Sequence, residues 1–367
     1  MTKRLSLLAV VALVAAACGG GGGTTTTEAP QTTTTQAQTT TTAAQTTTTA
    51  AAPEVGTPDN PIQVLFVPSV SAEDIIAGGE LLKQTLEAET GLSFEVSVPT
   101  SYAATIQEMC ANPGSSMGFI PAQAYVLGNE LCGLEIALKA LRFGYDVYWA
   151  QFITQRDSDI QTLEDLAGRT WAYPDAGSTS GFLVPSGILA QLGIEVGETV
   201  EAGGHSAVVQ AVYNGDVDFG TTFYSPPTDA EGNPLWDGGP TGFDVPEELV
   251  ESCGLDADGE LVCGEDFFVW DARRNIREEA PDVVQKVKII AVSDPIPNDG
   301  LAFGPEFPED LKEQITQTLI EFAQNDPEGF QAAFDAYSWD SVNPATDAEF
   351  DSIRAIVQQL GITIEDL

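Results

Sequence analysis

Gly177-Ser178-Thr179-Ser180-Gly181 sets three consecutive hydroxyls between two glycines, at the junction of a strand-like and a helix-like run. The preceding Arg169–Tyr173 is short, β-branched and aromatic, and ends in Pro174-Asp175-Ala176-Gly177, a strand followed by a turn. In the following run, Phe182, Leu183, Ile188, Leu189 and Leu192 form an apolar stripe at helical spacing, and Pro185 suits a first turn. The hydroxyls therefore sit at a helix N-terminus, where backbone N–H groups lack intrahelical partners and the helix dipole is positive. Such a spot suits a small oxyanion. The plainer role for one hydroxyl there is to cap the helix. Acyl transfer does not fit: a nucleophile elbow needs G-x-S-x-G, but the central residue is Thr179. A Ser-His-Asp set would also have to use His205, the single histidine. No catalytic residue is assigned.

Charge sets the next bound. The chain carries 55 acidic and 14 basic residues, a net charge of -41. That surface excludes nucleic acid and anionic headgroups and opposes long-range attraction of any anion. Exposed charges are screened beyond roughly 10 Å at 0.1 M salt, so donors inside a closed cleft still dominate locally. An anion site is expected to be built mostly from neutral hydrogen-bond donors plus the helix dipole.

The remaining chain must position and deliver that site. Lys3 and Arg4 precede an apolar run, Leu5 to Ala17, too short to span a bilayer, which reads as a signal peptide over 1–17. Val14-Ala15-Ala16-Ala17-Cys18 resembles a lipobox, with alanine three positions before the cysteine where leucine is usual. Cys18 is expected to be lipid-modified; a plain secretory signal is the alternative. Residues 18–56 read as the lipidated cysteine and a disordered tether, because glycine and threonine runs bury too little apolar surface to fold.

Setting Cys18 aside leaves Cys110, Cys132, Cys253 and Cys263, and in an exported chain sequence order pairs Cys110–Cys132 and Cys253–Cys263. Neither spacing makes a C-x-x-C metal clip, and the acids between Cys253 and Cys263 are too few for an EF-hand, so no metal is assigned. That segment reads instead as a stapled hairpin with Asp258-Gly259 at its turn.

The body is too large for one core. It opens as strand Ile62–Val67, helix Ala72–Glu89, strand Ser93–Val98, helix Ser101–Cys110 and strand Met117–Ile120. That βαβαβ order gives a parallel or mixed sheet covered by helices. A second α/β unit runs from about Thr154 to Val292, and helices near Glu309–Gln324, Pro327–Tyr337 and Thr346–Leu360 return to the first.

Three segments in order carry a family resemblance: Ser178–Pro185, then Ala202-Gly203-Gly204-His205 with Ser206–Gly220, then Pro295-Ile296-Pro297-Asn298-Asp299. From roughly Ile62 to the C-terminus, interrupted between about Tyr224 and Phe267, the chain resembles the phosphate/phosphite/phosphonate-binding proteins of ABC importers, the PhnD-like family. The resemblance implies a type II periplasmic-binding-protein fold, two α/β domains joined by a two-crossing hinge around a ligand cleft. Domain 1 is then 57–152 plus 296–367 and domain 2 is 153–295, with a hairpin-bearing insertion at about 226–266. It implies Tyr102, Tyr148, Ser178, Thr179, Ser180, His205 and Asp299 as ligand-binding residues, with phenols and imidazole donating to phosphoryl oxygens. Asp299 would accept from a protonated ligand oxygen. The implied protein is a monomeric extracytoplasmic lipoprotein, in the periplasm or at the cell surface and anchored to the membrane through Cys18. It would pass a phosphonate, phosphite or phosphate to an ABC permease without catalysis or cofactor.

One departure narrows this. Members holding an aminoalkylphosphonate place a second acidic residue where this chain has Phe223-Tyr224-Ser225, with no carboxylate following until Asp229. Another small solute on the same fold, or a ligand-sensing partnership with a membrane signalling receptor, are the alternatives, because fold does not fix function.

Overall fold

The computed structural model describes residues 54–367; the expected signal peptide, Cys18 and the tether to Pro53 lie outside them. The last expected tether residues already belong to the folded body. Ser93 N–H donates to the Gly56 carbonyl at 2.8 Å, and Val55 packs against the first core.

The chain opens with β1 (Ile62–Phe66), α1 (Ala72–Thr90), β2 (Phe94–Ser97), α2 (Tyr102–Ala111), β3 (Ser116–Ile120), α3 (Ala122–Cys132) and β4 (Glu135–Leu141). There follow β5 (Val147–Gln155), β6 (Trp171–Tyr173), α4 (Val184–Leu192), β7 (Thr199–Glu201), α5 (His205–Asn214) and β8 (Phe219–Tyr224). A small antiparallel sheet of β9 (Gly254–Leu255), β10 (Leu261–Cys263) and β11 (Phe267–Phe268) precedes β12 (Val287–Val292), β13 (Ile296–Pro297), β14 (Gly300–Phe303) and β15 (Ser341–Pro344). Two six-stranded sheets result, one ordered β15-β4-β14-β3-β1-β2 and the other β12-β5-β8-β6-β7, with β13 paired to the start of β5. Each sheet is mixed: β1 is parallel to β2 and β3, and β6 to β7 and β8, while β14 and β5 run antiparallel to their neighbours.

Apolar runs rather than alternation mark the central strands, as expected where helices cover both faces. Every residue of Ser116–Ile120 and of Gly300–Phe303 is buried. In the first lobe Phe66 stacks on Phe119 at 4.9 Å, and Phe334 on Trp339 at 4.8 Å, each a fully buried ring worth about 1.5–3 kcal/mol or more of burial. Trp171 lies flat between Phe182 at 5.6 Å and Phe219 at 6.1 Å in the second lobe.

The chain passes between the sheets within 142–146 and again after β12. β5 lies wholly in the second sheet, so its first residues cross earlier than the expected boundary at 152. Asn298 ties the two crossings together, its Nδ2 donating to the carbonyls of Ala140 at 3.0 Å and Tyr145 at 2.9 Å.

The insertion is packed, not appended. Trp236 is buried against Trp149 at 5.1 Å and Tyr224 at 5.3 Å, and Asp244 receives Arg273 at 2.7 Å and Arg156 at 3.2 Å. Both expected disulfides form. Cys110–Cys132 ties α2 to α3, and Cys253–Cys263 staples the β9–β10 hairpin, whose turn holds Gly259 at φ +82° as only glycine does without strain. Disulfides stabilise by about 2–4 kcal/mol, chiefly by restricting the unfolded chain. Reduction should lower the melting temperature by several degrees, and non-reducing peptide mapping of the exported protein should recover these two pairs; a Cys132–Cys253 link would contradict the structure.

Candidate functional site

In an open α/β sheet, the carboxyl end of each parallel strand delivers the chain to the N-terminus of the next helix, and ligands bind along that edge. Both lobes turn this edge to one cleft of about 730 Å³. β1 brings Ser69 and Ser71, β2 brings Tyr102 at the first position of α2, and β7 brings His205 at the first position of α5. β6 brings Ser178 and Ser180. Of the seven expected ligand residues, Tyr102, Tyr148, Ser178, Ser180, His205 and Asp299 line the cavity.

Thr179 does not. Its Oγ1 accepts the Gln123 backbone N–H from α3 at 2.8 Å, and Gln123 Nε2 donates to the Ala176 carbonyl at 3.1 Å. Thr179 thus joins the lobes, and its side chain also lies beside the Tyr148 phenol. Gly177 explains how closely they meet: a Cβ there would lie 2.4 Å from the Tyr102 Cβ. The Asp175 carboxylate accepts the N–H of Gly177 at 2.7 Å and that of Tyr102 across the same junction.

The hydroxyl triplet also differs from a plain helix start. Thr179–Leu183 forms one widened π turn before α4, with the N–H groups of Phe182 and Leu183 both donating to the Ser178 carbonyl. Pro185 supplies the cause, since it has no N–H for the Gly181 carbonyl; the Thr221 hydroxyl takes that carbonyl instead. Ser178 performs the capping role too, accepting Gly181 N–H at 3.1 Å, and keeps its hydroxyl proton for another partner. His205 Nε2 lies 3.3 Å from the Ser178 oxygen.

Electrostatics make these groups donors. Burial, and then the charge of Arg142, push the His205 imidazole down to about 3, so the ring is neutral at pH 7. Its Nδ1 is buried without a partner, so the proton belongs on Nε2, which faces Ser178 and the cleft. Burial raises the Tyr102 and Tyr148 phenols, with Asp175 adding to it at Tyr102 and Asp299 at Tyr148. Both stay protonated and can donate.

The expectation of mostly neutral donors misses Arg142. It stands at the first crossing, lines the cavity with its guanidinium 5.6 Å from the Tyr148 ring, and keeps Nε buried without a partner. Its Nη2 binds Asp299 Oδ2 at 2.5 Å, so Asp299 faces the cleft as the partner of a cation. The available signal was an arginine six residues before Tyr148 in so acidic a chain, but its side chain reaches Asp299 only because Asn298 joins the crossings. Ser225, where an acid would meet an ammonium, lines the cavity beside Phe223, which packs edge-on against His205 at 5.1 Å. Among the described residues no group of three or more His, Cys, Asp and Glu is placed to hold a metal ion.

Residues 64–350 match the family described as ABC transporter, phosphonate, periplasmic substrate-binding protein. The chain belongs to that family. It is 27% identical, over 82% of its own length and 86% of the relative's, to the phosphate-import protein PhnD of Mycolicibacterium smegmatis. Against the phosphonates-binding periplasmic protein of Escherichia coli the identity is 23%, over 74% of this chain and 69% of the relative. Among solved structures, PhnD1 of Prochlorococcus marinus in complex with methylphosphonate shares the fold at a TM-score of 0.60, with 12% identity over 82% of this chain and 98% of that one. A binding protein component of a Pseudomonas aeruginosa ABC phosphonate transporter also superposes at 0.60, with 19% identity over 80% and 84% of the two chains.

A buried neutral histidine predicts a pH dependence. The unfolded ring takes a proton near pH ~6.5 and the folded ring only near 3, so the unfolded state binds more protons between these values. Stability therefore falls on acidification through this window, by up to about 1.4 kcal/mol per pH unit from this group. Urea titrations of His205→Gln should show a shallower loss between pH ~6.5 and ~4 than the unaltered protein; an equal slope would mean the ring is not held neutral.

Proposed function

We propose that the protein is an extracytoplasmic receptor that captures a phosphorus oxyanion, a phosphonate, phosphite or phosphate, and delivers it to an ABC permease. One observation carries the reading: protonated hydroxyls of Ser178, Ser180, Tyr102 and Tyr148 and the Nε2 proton of His205 converge with Arg142 on one cleft. An oxyanion there gains charge-assisted hydrogen bonds from neutral donors on both lobes, which favours the closed cleft by bridging it. Tyr102 comes from the first lobe, the serines and His205 from the second, and Arg142 from the crossing. Thr179 supports the site by holding α3. Asp299 fixes Arg142 and accepts from a protonated ligand oxygen through its remaining lone pairs.

Binding without turnover fits the Ser178–His205 pair, because no carboxylate orients the ring: Nδ1 has no partner among the described residues. We assign the lobes as 54–146 plus 298–367 and 147–297, with the boundaries shifted to keep β5 whole and to include residues 54–56. Cys18 is proposed as the lipidated anchor and residues 18–53 as the tether that lets a monomer reach its permease.

The cradle is tested by calorimetric titration with phosphate, phosphite, methylphosphonate and sulfate. Ser178→Ala/Ser180→Ala should weaken the preferred phosphorus ligand by at least about tenfold, each lost charge-assisted bond being worth roughly 1.5–3 kcal/mol. Thr179→Ala should cost less and act through the lobe contact. Undiminished binding in the double variant would remove the assignment.

Ser225 gives a separate outcome. With no carboxylate at that position, 2-aminoethylphosphonate should bind no better than methylphosphonate. A preference above about tenfold for the aminated ligand, roughly 1.4 kcal/mol, would show that another acid holds the ammonium.

A further inference from the structure

The cleft is larger than an oxyanion requires. Its 730 Å³ corresponds to about two dozen water volumes at ~30 Å³ each, while a phosphoryl group fills the space of a few. Beyond the cradle the same cavity is walled by Trp270, Arg274 and Asn275, on and just before the short helix Ala272–Ile276. Arg274 Nε and Asn275 Nδ2 are buried there and have no hydrogen-bond partner. Leaving a buried donor unpaired costs about 1–3 kcal/mol, so two on one wall of a ligand cavity call for an acceptor.

The rest of this wall is fixed. The Arg274 guanidinium lies 4.8 Å from the Trp270 ring centre, Nη1 donates to Ser338 Oγ at 3.3 Å, and Nη2 pairs with Glu260 at 3.3 Å. These contacts use the far end of the fork and leave Nε over. Glu260 belongs to the stapled hairpin, and the neighbouring Gly259 carbonyl accepts Arg277 Nε at 2.7 Å. The insertion thereby sets the orientation of Arg274. Asp74, Glu279 and Asp335 also line the cavity; all three are exposed, and Asp335 offsets part of the Arg274 charge without giving Arg274 Nε or Asn275 Nδ2 a hydrogen-bond partner.

We infer that the cleft contains a second subsite, at Arg274 Nε and Asn275 Nδ2, for a carboxylate on the organic arm of the phosphorus ligand. The inference rests on the cradle reading above and narrows it to a class: phosphonates or phosphate esters whose arm ends in a carboxylate. The phosphoryl group sits on Ser178, Ser180 and His205, and the carboxylate accepts from both unpaired donors.

The test is calorimetry on the full chain with methylphosphonate, phosphonoacetate and 3-phosphonopropionate. One carboxylated phosphonate should bind at least about tenfold more tightly than methylphosphonate, the effect of one charge-assisted hydrogen bond. Asn275→Ala and Arg274→Gln should each abolish that gain and leave methylphosphonate affinity within about twofold, because neither residue touches the cradle. Methylphosphonate binding thus reports folding, and if Arg274→Gln fails to fold, Asn275→Ala alone decides. Methylphosphonate binding with no gain from either carboxylate, or a gain that survives Asn275→Ala, overturns the subsite and leaves the cradle standing. A folded protein that binds none of the three overturns the cradle and the subsite together.

Discussion

Helix N-termini present backbone donors that their own helices cannot satisfy, and an open α/β sheet gathers those ends along one edge. Here two such edges face each other, so the starts of α1, α2, α5 and the π turn before α4 share one cavity. The lobes must come close enough for donors on both to reach a single small ligand. Gly177 against Tyr102 sets that approach, and the Gln123–Thr179 and His205–Ser69 hydrogen bonds hold it. Much of the remaining architecture, including the Asn298 tie at the crossings, keeps these edges in register.

A net charge of -41 is not in conflict with an anion site, because the two act at different ranges. Surface carboxylates are screened within about a Debye length, whereas cavity donors act at contact in a medium of low polarity. Of the arginines lining the cleft, Arg142 is paired with Asp299, which offsets its charge. An unpaired Arg142 would be costly to bury; paired, it contributes direction and a spare Nε–H more than net charge. Burial keeps His205 neutral and the two tyrosines protonated, so ligand capture needs no proton uptake near neutral pH.

The insertion acts through the same logic. Its half-buried Asp244 sits between Arg273 and Arg156 and pairs with both. That anchor and the Cys253–Cys263 staple present Glu260 to Arg274 and so shape the outer wall of the cleft. A segment outside the three family motifs thus helps to form the wall of the cleft.

What the sequence determined alone is local. Apolar runs and turn residues placed β1 to β3, α1 and α2 within a residue or two, Asp258-Gly259 marked the hairpin turn, and the cysteine order gave both disulfides. Three short motifs carried the family, because their hydroxyls and histidine sit at helix starts whose chemistry is legible from neighbours in the chain. Tertiary structure decided everything that depends on which side chains meet across long separations. It turned Thr179 to α3, gave Asp299 to Arg142 over 157 residues of chain, and left Arg274 and Asn275 with unpaired donors inside the cleft. It also widened the helix start into a π turn, since the Gly181 carbonyl that Pro185 leaves unpaired finds Thr221 only once the sheet has formed. Hydrogen bonds of this kind have no periodicity in sequence; they follow from packing, which fixes the distances between groups only after the two sheets have closed on each other.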